Sequence, residues 1–400
     1  MTKINQPFSH HLKTHDWGTH SSQLINIGAK QIENALSREG KGGLDDLKAL
    51  LSPLAGKQYL EEMAQLSSSI TRKRFGKAVR LFAPLYLSNE CNNVCDYCGF
   101  SMHNKIDRKT LSDLEILREA GILKRFGFKH VLLVTGESSI KVGLDYLVNA
   151  LRILRPHFSN LSIEVQPLTK EAYAKLIENG MHAVMVYQET YHKGSYASHH
   201  LKGKKTNFNW RLDTADRLGE VGVNKIGLGC LFGLTKDWRT DAFFAGIHLS
   251  YLEKKYWKTS YSMSFPRIRP YEGDNIVAAD LSDRNLVQLI CAFRIFDHEL
   301  EITLSTRERP QLRENLLPLG VTTMSAGSKT NPGGYSETGA SLEQFAISDD
   351  RSPAEISSML KSRNYDPIWK DWDIAYDSRE ENHSFALSVS DADRRIPLSL

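Results

Sequence analysis

The chain has 400 residues, 41% hydrophobic and 24% charged, with 51 Lys and Arg against 47 Asp and Glu for a net charge of +4. These proportions fit a globular enzyme and exclude a disordered or fibrous chain. No apolar run approaches the ~18 residues of a membrane span, and so small a positive excess, without a concentrated basic patch, gives no reason to expect nucleic acid.

Residues 1–76 are expected to form a helical lead-in. Leu44–Leu51 and Tyr59–Phe75 carry apolar residues at helical spacing, separated by Ser52-Pro53 and Gly56. The stretch Met1–Trp17 is polar and His-rich, without the apolar centre of a secretion signal, so a cytoplasmic location is expected. From Val79 the pattern becomes an alternation of strand and helix. The β-rich runs are Val79–Leu87, His130–Thr135, Leu161–Val165, Ala183–Tyr187, Lys225–Leu228, Tyr261–Phe265, Glu301–Leu304 and Val321–Met324. Helix-length amphipathic segments lie between most of them, among them Leu111–Phe126, Leu144–Leu154, Glu171–Asn179 and Leu286–Asp297. The link from Glu189 to Trp210 is longer and polar.

Strands alternating with helices imply parallel pairing. Eight such units in about 250 residues have the size of a closed (β/α)8 barrel, with an open doubly wound sheet as the alternative. The expected organisation is an N-terminal helical extension (1–76), the barrel (77–330), a C-terminal segment packed on it (331–376) and a loosely held polar tail (377–400). The C-terminal segment should contain a helix at Pro353–Leu360 and dock through Trp369 and Trp372.

Three of only five cysteines fall in Cys91-Asn92-Asn93-Val94-Cys95-Asp96-Tyr97-Cys98, on the loop leaving the first strand. That is no disulfide framework; thiolates this close point to one metal centre. Two readings are open. A [4Fe–4S] cluster normally takes four thiolates, so three leave one iron open to a ligand. Structural zinc would need His103 as a fourth donor. Cys230 and Cys291 read as small buried hydrophobes.

In a (β/α)8 barrel the chemistry gathers at the C-terminal ends of the strands, and here those ends are polar or glycine-rich. The second ends in Thr135-Gly136-Glu137-Ser138, and the third carries Glu164 beside Gln166. The fourth ends in Tyr187-Gln188-Glu189, the fifth in Ile226-Gly227-Leu228-Gly229 and the sixth in Ser264-Phe265-Pro266-Arg267-Ile268-Arg269. The seventh ends in Ser305-Thr306-Arg307-Glu308 and the eighth in Ser325-Ala326-Gly327. Arg307 with Ser325 suits an α-amino acid, the guanidinium taking the carboxylate and the hydroxyl the amine. The basic run Ser198–Lys205 is expected to be a solvated loop, with docking of a partner protein as the alternative.

The cysteine spacing, with an aromatic before the last cysteine, resembles the radical S-adenosylmethionine (SAM) superfamily. Pro84–Asn89, Val184–Tyr191, Ser264–Arg267, Ser305–Glu308 and Pro332–Tyr335 further resemble its family of tyrosine lyases of thiazole biosynthesis, the 2-iminoacetate synthases. The resemblance spans roughly residues 40–373. It implies a [4Fe–4S] cluster on Cys91, Cys95 and Cys98, and SAM held near Tyr97, Gly136, Glu137, Glu164, Glu189 and Arg211. It implies Tyr86 and Asn93 at the reaction centre, and Ser264, Arg307 and Ser325 around the substrate. The implied reaction splits the Cα–Cβ bond of L-tyrosine into 2-iminoacetate and p-cresol, SAM giving methionine and 5′-deoxyadenosine. Implied partners are the thiazole synthase that takes the imine and a flavodoxin-type or NADPH-linked electron donor. Three alternatives remain: the sister tyrosine lyase that makes CO and cyanide for hydrogenase, a tryptophan lyase, and a non-enzymatic zinc or iron–sulfur scaffold. The first needs a second cluster on late cysteines, and Cys291 is the last in this chain.

Overall fold

The computed structural model describes residues 6–38, 40, 42–269, 281–337 and 343–370. Its centre is a closed parallel barrel. The strands are β1 Ala78–Ser88, β2 His130–Thr135, β3 Asn160–Glu164, β4 Met181–Met185, β5 Lys225–Gly229, β6 Ser260–Ser264, β7 Glu301–Leu304 and β8 Thr323–Ser325. Each pairs with the next in parallel, and β1 closes the ring on β8 through Arg80↔Thr323 and Phe82↔Ser325. The barrel is closed, as expected, and not an open sheet, because β1 is long enough to pair on both sides at different heights.

The barrel's outer helices include Asp113–Arg125, Leu144–Leu154, Lys170–Glu178, Thr214–Glu220, Trp238–Lys255, Asp283–Phe296, Pro310–Leu316 and Pro353–Ser362. Local chemistry explains several starts. Ser112 with Glu115, and Ser352 with Pro353 and Glu355, form capping boxes that satisfy the first free N–H groups. Strands buried on both faces explain why the runs read as near-continuous apolar stretches. Cys230 and Cys291 are fully buried, as expected. Low in the barrel, Lys225 Nζ lies 2.8 Å and Arg80 Nη2 2.5 Å from Glu301 Oε2, and His130 Nε2 lies 2.8 Å from Ser162 Oγ. These groups place paired charge at the bottom of the barrel and leave its mouth as the opening.

The helical lead-in covers one flank. Leu44–Leu51 and Leu60–Phe75 pack on Asp283–Phe296 and, for the former, on Trp238–Lys255. The approach is close enough that a Cβ on Gly246 would sit 2.2 Å from Leu47 Cδ2, so any side chain there would have to displace Leu47. Ahead of these helices, Phe8 is buried and stacked on His248 at 3.9 Å. Its N–H donates to Asp216 Oδ2 (2.8 Å). Asp216 Oδ1 also accepts from Tyr251, Lys255 and Tyr256.

The long link after β4 departs from expectation. Lys193–His199 is a helix, and His200–Lys202 is a strand paired antiparallel with Val94–Cys95 of the cysteine loop. The run Ser198–Lys205 is thus not a solvated loop. A tertiary partner, invisible in its basic composition, draws it onto the barrel mouth. At the C-terminal side, Asp366–Ile368 adds in parallel to the start of β1, and Trp369 packs edge-on to Phe128 at 5.3 Å. Trp372 and the tail 377–400 lie outside the described residues.

Candidate active site

One cavity at the barrel mouth is lined by the three cysteines and by the other residues that the family resemblance placed at the site. Those are Tyr86, Asn93, Tyr97, Gly136, Glu137, Glu164, Glu189, Arg211, Ser264, Arg307 and Ser325. Its empty space, open solvent at the mouth included, is about 1370 Å3.

The cysteine loop is held from three sides. Gly136 N–H donates to Ser88 O and Asn92 N–H to Glu137 O, each at 2.9 Å. A Cβ on Gly136 would lie 2.3 Å from Glu90 O, so the glycine lets β2 press against the loop. On the second side His199 Nδ1 lies 2.9 Å from Asp96. His200 Nδ1 donates to Tyr196 O (2.6 Å), which leaves Nε2 to accept from Tyr97 OH (2.7 Å). Burial, followed by Lys205, lowers His200 to about 3, so it stays neutral and fixes Tyr97. On the third side Gly99 N–H donates to Gln344 O (3.0 Å).

The charged groups fall into two sets. In the first, Asn93 Nδ2 and Arg211 Nη1 both donate to Glu137, each at 2.8 Å. Arg211 Nη2 (3.2 Å) and Lys205 Nζ (2.7 Å) then meet on Glu189 Oε1, and Arg211 Nε donates to Tyr187 O. Burial would raise the Glu189 carboxyl, but Lys205 and Arg211 outweigh it and hold it at about 2. Glu189 also has φ +71°, an uncommon conformation for a residue with a side chain. Arg211 is thus engaged on both arms by protein carboxylates rather than left for a ligand's carboxylate.

The second set is unpaired. Glu164 and Arg307 line the cavity, and neither makes a side-chain hydrogen bond or ion pair with a described residue. Burial, with Glu189 adding repulsion, raises Glu164 to about 7. Burial lowers Arg307, whose Cζ lies 3.4 Å from the centroid of the Phe345 ring. Arg267 and Arg269, at the end of β6, are both tied to Glu308 and stand outside the cavity lining. Ser325 Oγ already accepts from Thr306 N–H (3.1 Å).

The sequence reading missed Lys205, His200, Gln344 and Phe345. Lys205 was hidden in a basic run. Gln344 and Phe345 sit in a stretch with no local motif, brought to the mouth only by the chain's return over the barrel.

The donor set bears on the two metal readings. His103 is exposed and absent from the cavity lining, so a Cys3His set has lost its fourth ligand. Cys91 and Cys98 pack against an apolar wall of Tyr86, Phe100, Leu132 and Val134. Burial pushes all three thiols up, Cys98 to about 11, so a metal must displace their protons. Three thiols around one cavity, with no fourth cysteine there, suit a cluster with an open iron.

A (β/α)8 barrel carrying such a cysteine loop beyond its first strand belongs to the radical SAM superfamily. The superfamily model matches residues 85–244, and the Biotin and Thiamin Synthesis associated domain matches 264–366. The 2-iminoacetate synthase of Escherichia coli (strain K12) is 49% identical over 366 residues, 92% of this chain and 97% of that one. The chain belongs to the 2-iminoacetate synthase family of radical SAM carbon–carbon lyases. Among solved structures, HydG, a maturase of the [FeFe]-hydrogenase, aligns with TM-score 0.80 and 30% identity over 90% of this chain and 78% of that one. Methylornithine synthase (PylB), at 21% identity and TM-score 0.67 over 84% of this chain and 96% of that one, shares the fold.

Proposed function

We propose that the cavity holds one [4Fe–4S] cluster on Cys91, Cys95 and Cys98 with SAM and L-tyrosine beside it, and that it cleaves tyrosine to 2-iminoacetate and p-cresol. The observation that carries this reading is the pairing of three cavity-lining thiols with a separate, unpaired Arg307. Bound there, cluster and SAM would supply one-electron reduction and hydrogen-atom abstraction.

The chain's own residues bind and orient. Glu137 and Glu189, locked by Arg211 and Lys205, present fixed carboxylate edges to the amino and hydroxyl groups of SAM. Tyr97, fixed by His200, would face its adenine. Arg307 takes the tyrosine carboxylate by its planar fork. Tyr86, Ser264 and Ser325 complete the substrate side, and Asn93 ties the cysteine loop to Glu137. Phe345 and Leu231 help exclude water, which protects a radical from quenching. A thiazole synthase that takes the imine directly, and a flavodoxin-type or NADPH-linked reductant, are the partners this chemistry asks for. The location proposed is the cytoplasm; among the described residues no helix is long and apolar enough to cross a membrane.

The test is anaerobic reconstitution with iron and sulfide, then addition of SAM, dithionite and tyrosine. Release of p-cresol without CO is the expected result. CO from the pure chain, or stoichiometric zinc with no iron, would contradict the reading.

A further inference from the structure

Gln344 is bonded at both ends of its side chain and along its backbone. Its Oε1 accepts from Tyr86 OH at 2.6 Å, and its Nε2 lies 3.9 Å from Cys98 Sγ. Its backbone N–H donates to Thr330 O and its carbonyl accepts from Gly99 N–H. The approach is tight: a Cβ on Gly99 would lie 2.4 Å from Glu343 O. This segment also presents Phe345 to Arg307. A side chain gripped in this way spans the cysteine loop and the substrate wall.

We propose that Gln344 is a positioning residue that couples the two halves of the site, donating an N–H to the Cys98 thiolate and setting the direction of the Tyr86 hydroxyl. The inference rests on the cluster reading above. A thiolate only accepts, so the amide must turn its NH2 end to Cys98. Its oxygen then faces Tyr86, and the phenol must donate to it. With its proton committed, the Tyr86 oxygen offers lone pairs to the cavity, the polarity that suits a substrate ammonium. A hydrogen bond to a cluster sulfur raises the reduction potential, since it stabilises the more negative reduced state. One amide thereby tunes the electron source and polarises the pocket.

The test uses the reconstituted holoprotein, with cluster potential from an EPR-monitored redox titration and tyrosine affinity from equilibrium dialysis without reductant. Q344L should keep wild-type iron and sulfide, shift the potential negative, and weaken tyrosine binding about tenfold, the loss of one oriented hydrogen bond. Q344E can still accept from Tyr86 but faces the thiolate with oxygen. It should bind tyrosine within about threefold of wild type while its potential falls. Y86F should weaken tyrosine binding with the potential unchanged. A fully loaded Q344L or Q344E with wild-type potential overturns the proposal, as does a loaded Q344L with wild-type tyrosine affinity. A wild-type chain that takes up no iron, or a C95A chain that takes up as much as wild type, refutes the cluster reading itself.

Discussion

Arg307→Ala should cost tyrosine binding and leave SAM binding intact. The cavity lining holds three cations, and two are engaged: Lys205 on Glu189, and Arg211 on Glu189 and Glu137. Arg307 alone has no carboxylate partner among the described residues, and its plane is set by the Phe345 ring 3.4 Å away. A pre-oriented guanidinium meeting a desolvated carboxylate is worth about 1.5–3 kcal/mol as a charge-assisted hydrogen bond, so affinity should fall about 10- to 150-fold. Lysine should restore little, because a point charge supplies neither the fork nor the stacking plane. The assay is equilibrium dialysis of tyrosine, and separately of SAM, against reconstituted enzyme without reductant. Normal tyrosine affinity in Arg307→Ala would refute the argument outright. Arg267 and Arg269, at the end of β6, are both held by Glu308 outside the cavity lining, so no spare clamp exists among the described lining residues. Loss of SAM binding instead would refute the separation of the mouth into two sides.

Four further outcomes follow from the same geometry. Cys95→Ala should reduce bound iron to background with the far-ultraviolet circular dichroism unchanged, measured after anaerobic reconstitution. Glu164 has its carboxyl raised to about 7, so its contribution to stability is complete below the unfolded value of 4.5 and is lost as pH rises through about 7. Glu164→Gln should therefore flatten the fall in melting temperature of the ligand-free chain between pH 5 and pH 8, a difference of at most about 3 kcal/mol. Glu189→Gly and Glu189→Ala both delete the carboxylate, but only glycine relieves φ +71°. The glycine variant should be the more stable by about 1 kcal/mol in thermal melts. His15, 3.1 Å from His20 and 3.4 Å from His11, is lowered to about 4 by burial, then by His11, His20 and Lys48. Its contribution is present above about 6.5 and lost as pH falls toward 4. Limited proteolysis should accordingly cut residues 6–28 faster at pH 5 than at pH 7.5, and His15→Gln should reduce that difference.

Legibility in the sequence followed the range of the interaction. The barrel strands were readable because each is a short apolar run between turn residues, and His130–Thr135 and Glu301–Leu304 match residue for residue. Capped helices were readable for the same local reason. Lys205 was not, since a lysine in a basic run reads as solvated until Glu189 arrives from a different strand end. Gln344 lies 246 residues from Cys98, and no spacing rule connects them. Arg211 reads from the sequence as a residue near SAM, and nothing in its local motif announces the two carboxylates, Glu137 and Glu189, that share it from different strand ends.

This sharing bears on how the site meets charged ligands. Buried charges left without partners are costly, and buried charges that satisfy one another are not. Glu137, Glu189, Arg211 and Lys205 carry two negative and two positive charges in one connected chain. That side needs no incoming charge for balance and holds its carboxylates rigid, which would suit SAM. Glu164 and Arg307 line the same cavity without touching a partner, and burial has shifted each toward its neutral form. They are the groups an amino acid's charges would relieve, its carboxylate offsetting the buried charge of Arg307 and its ammonium favouring the ionised form of Glu164. Binding of a zwitterion is thus favoured by relief of burial strain on the protein's own groups, and a phenol lacking the amino-acid moiety, such as p-cresol, has nothing to offer them. The same arrangement that draws tyrosine in therefore gives no hold on the cleaved side chain.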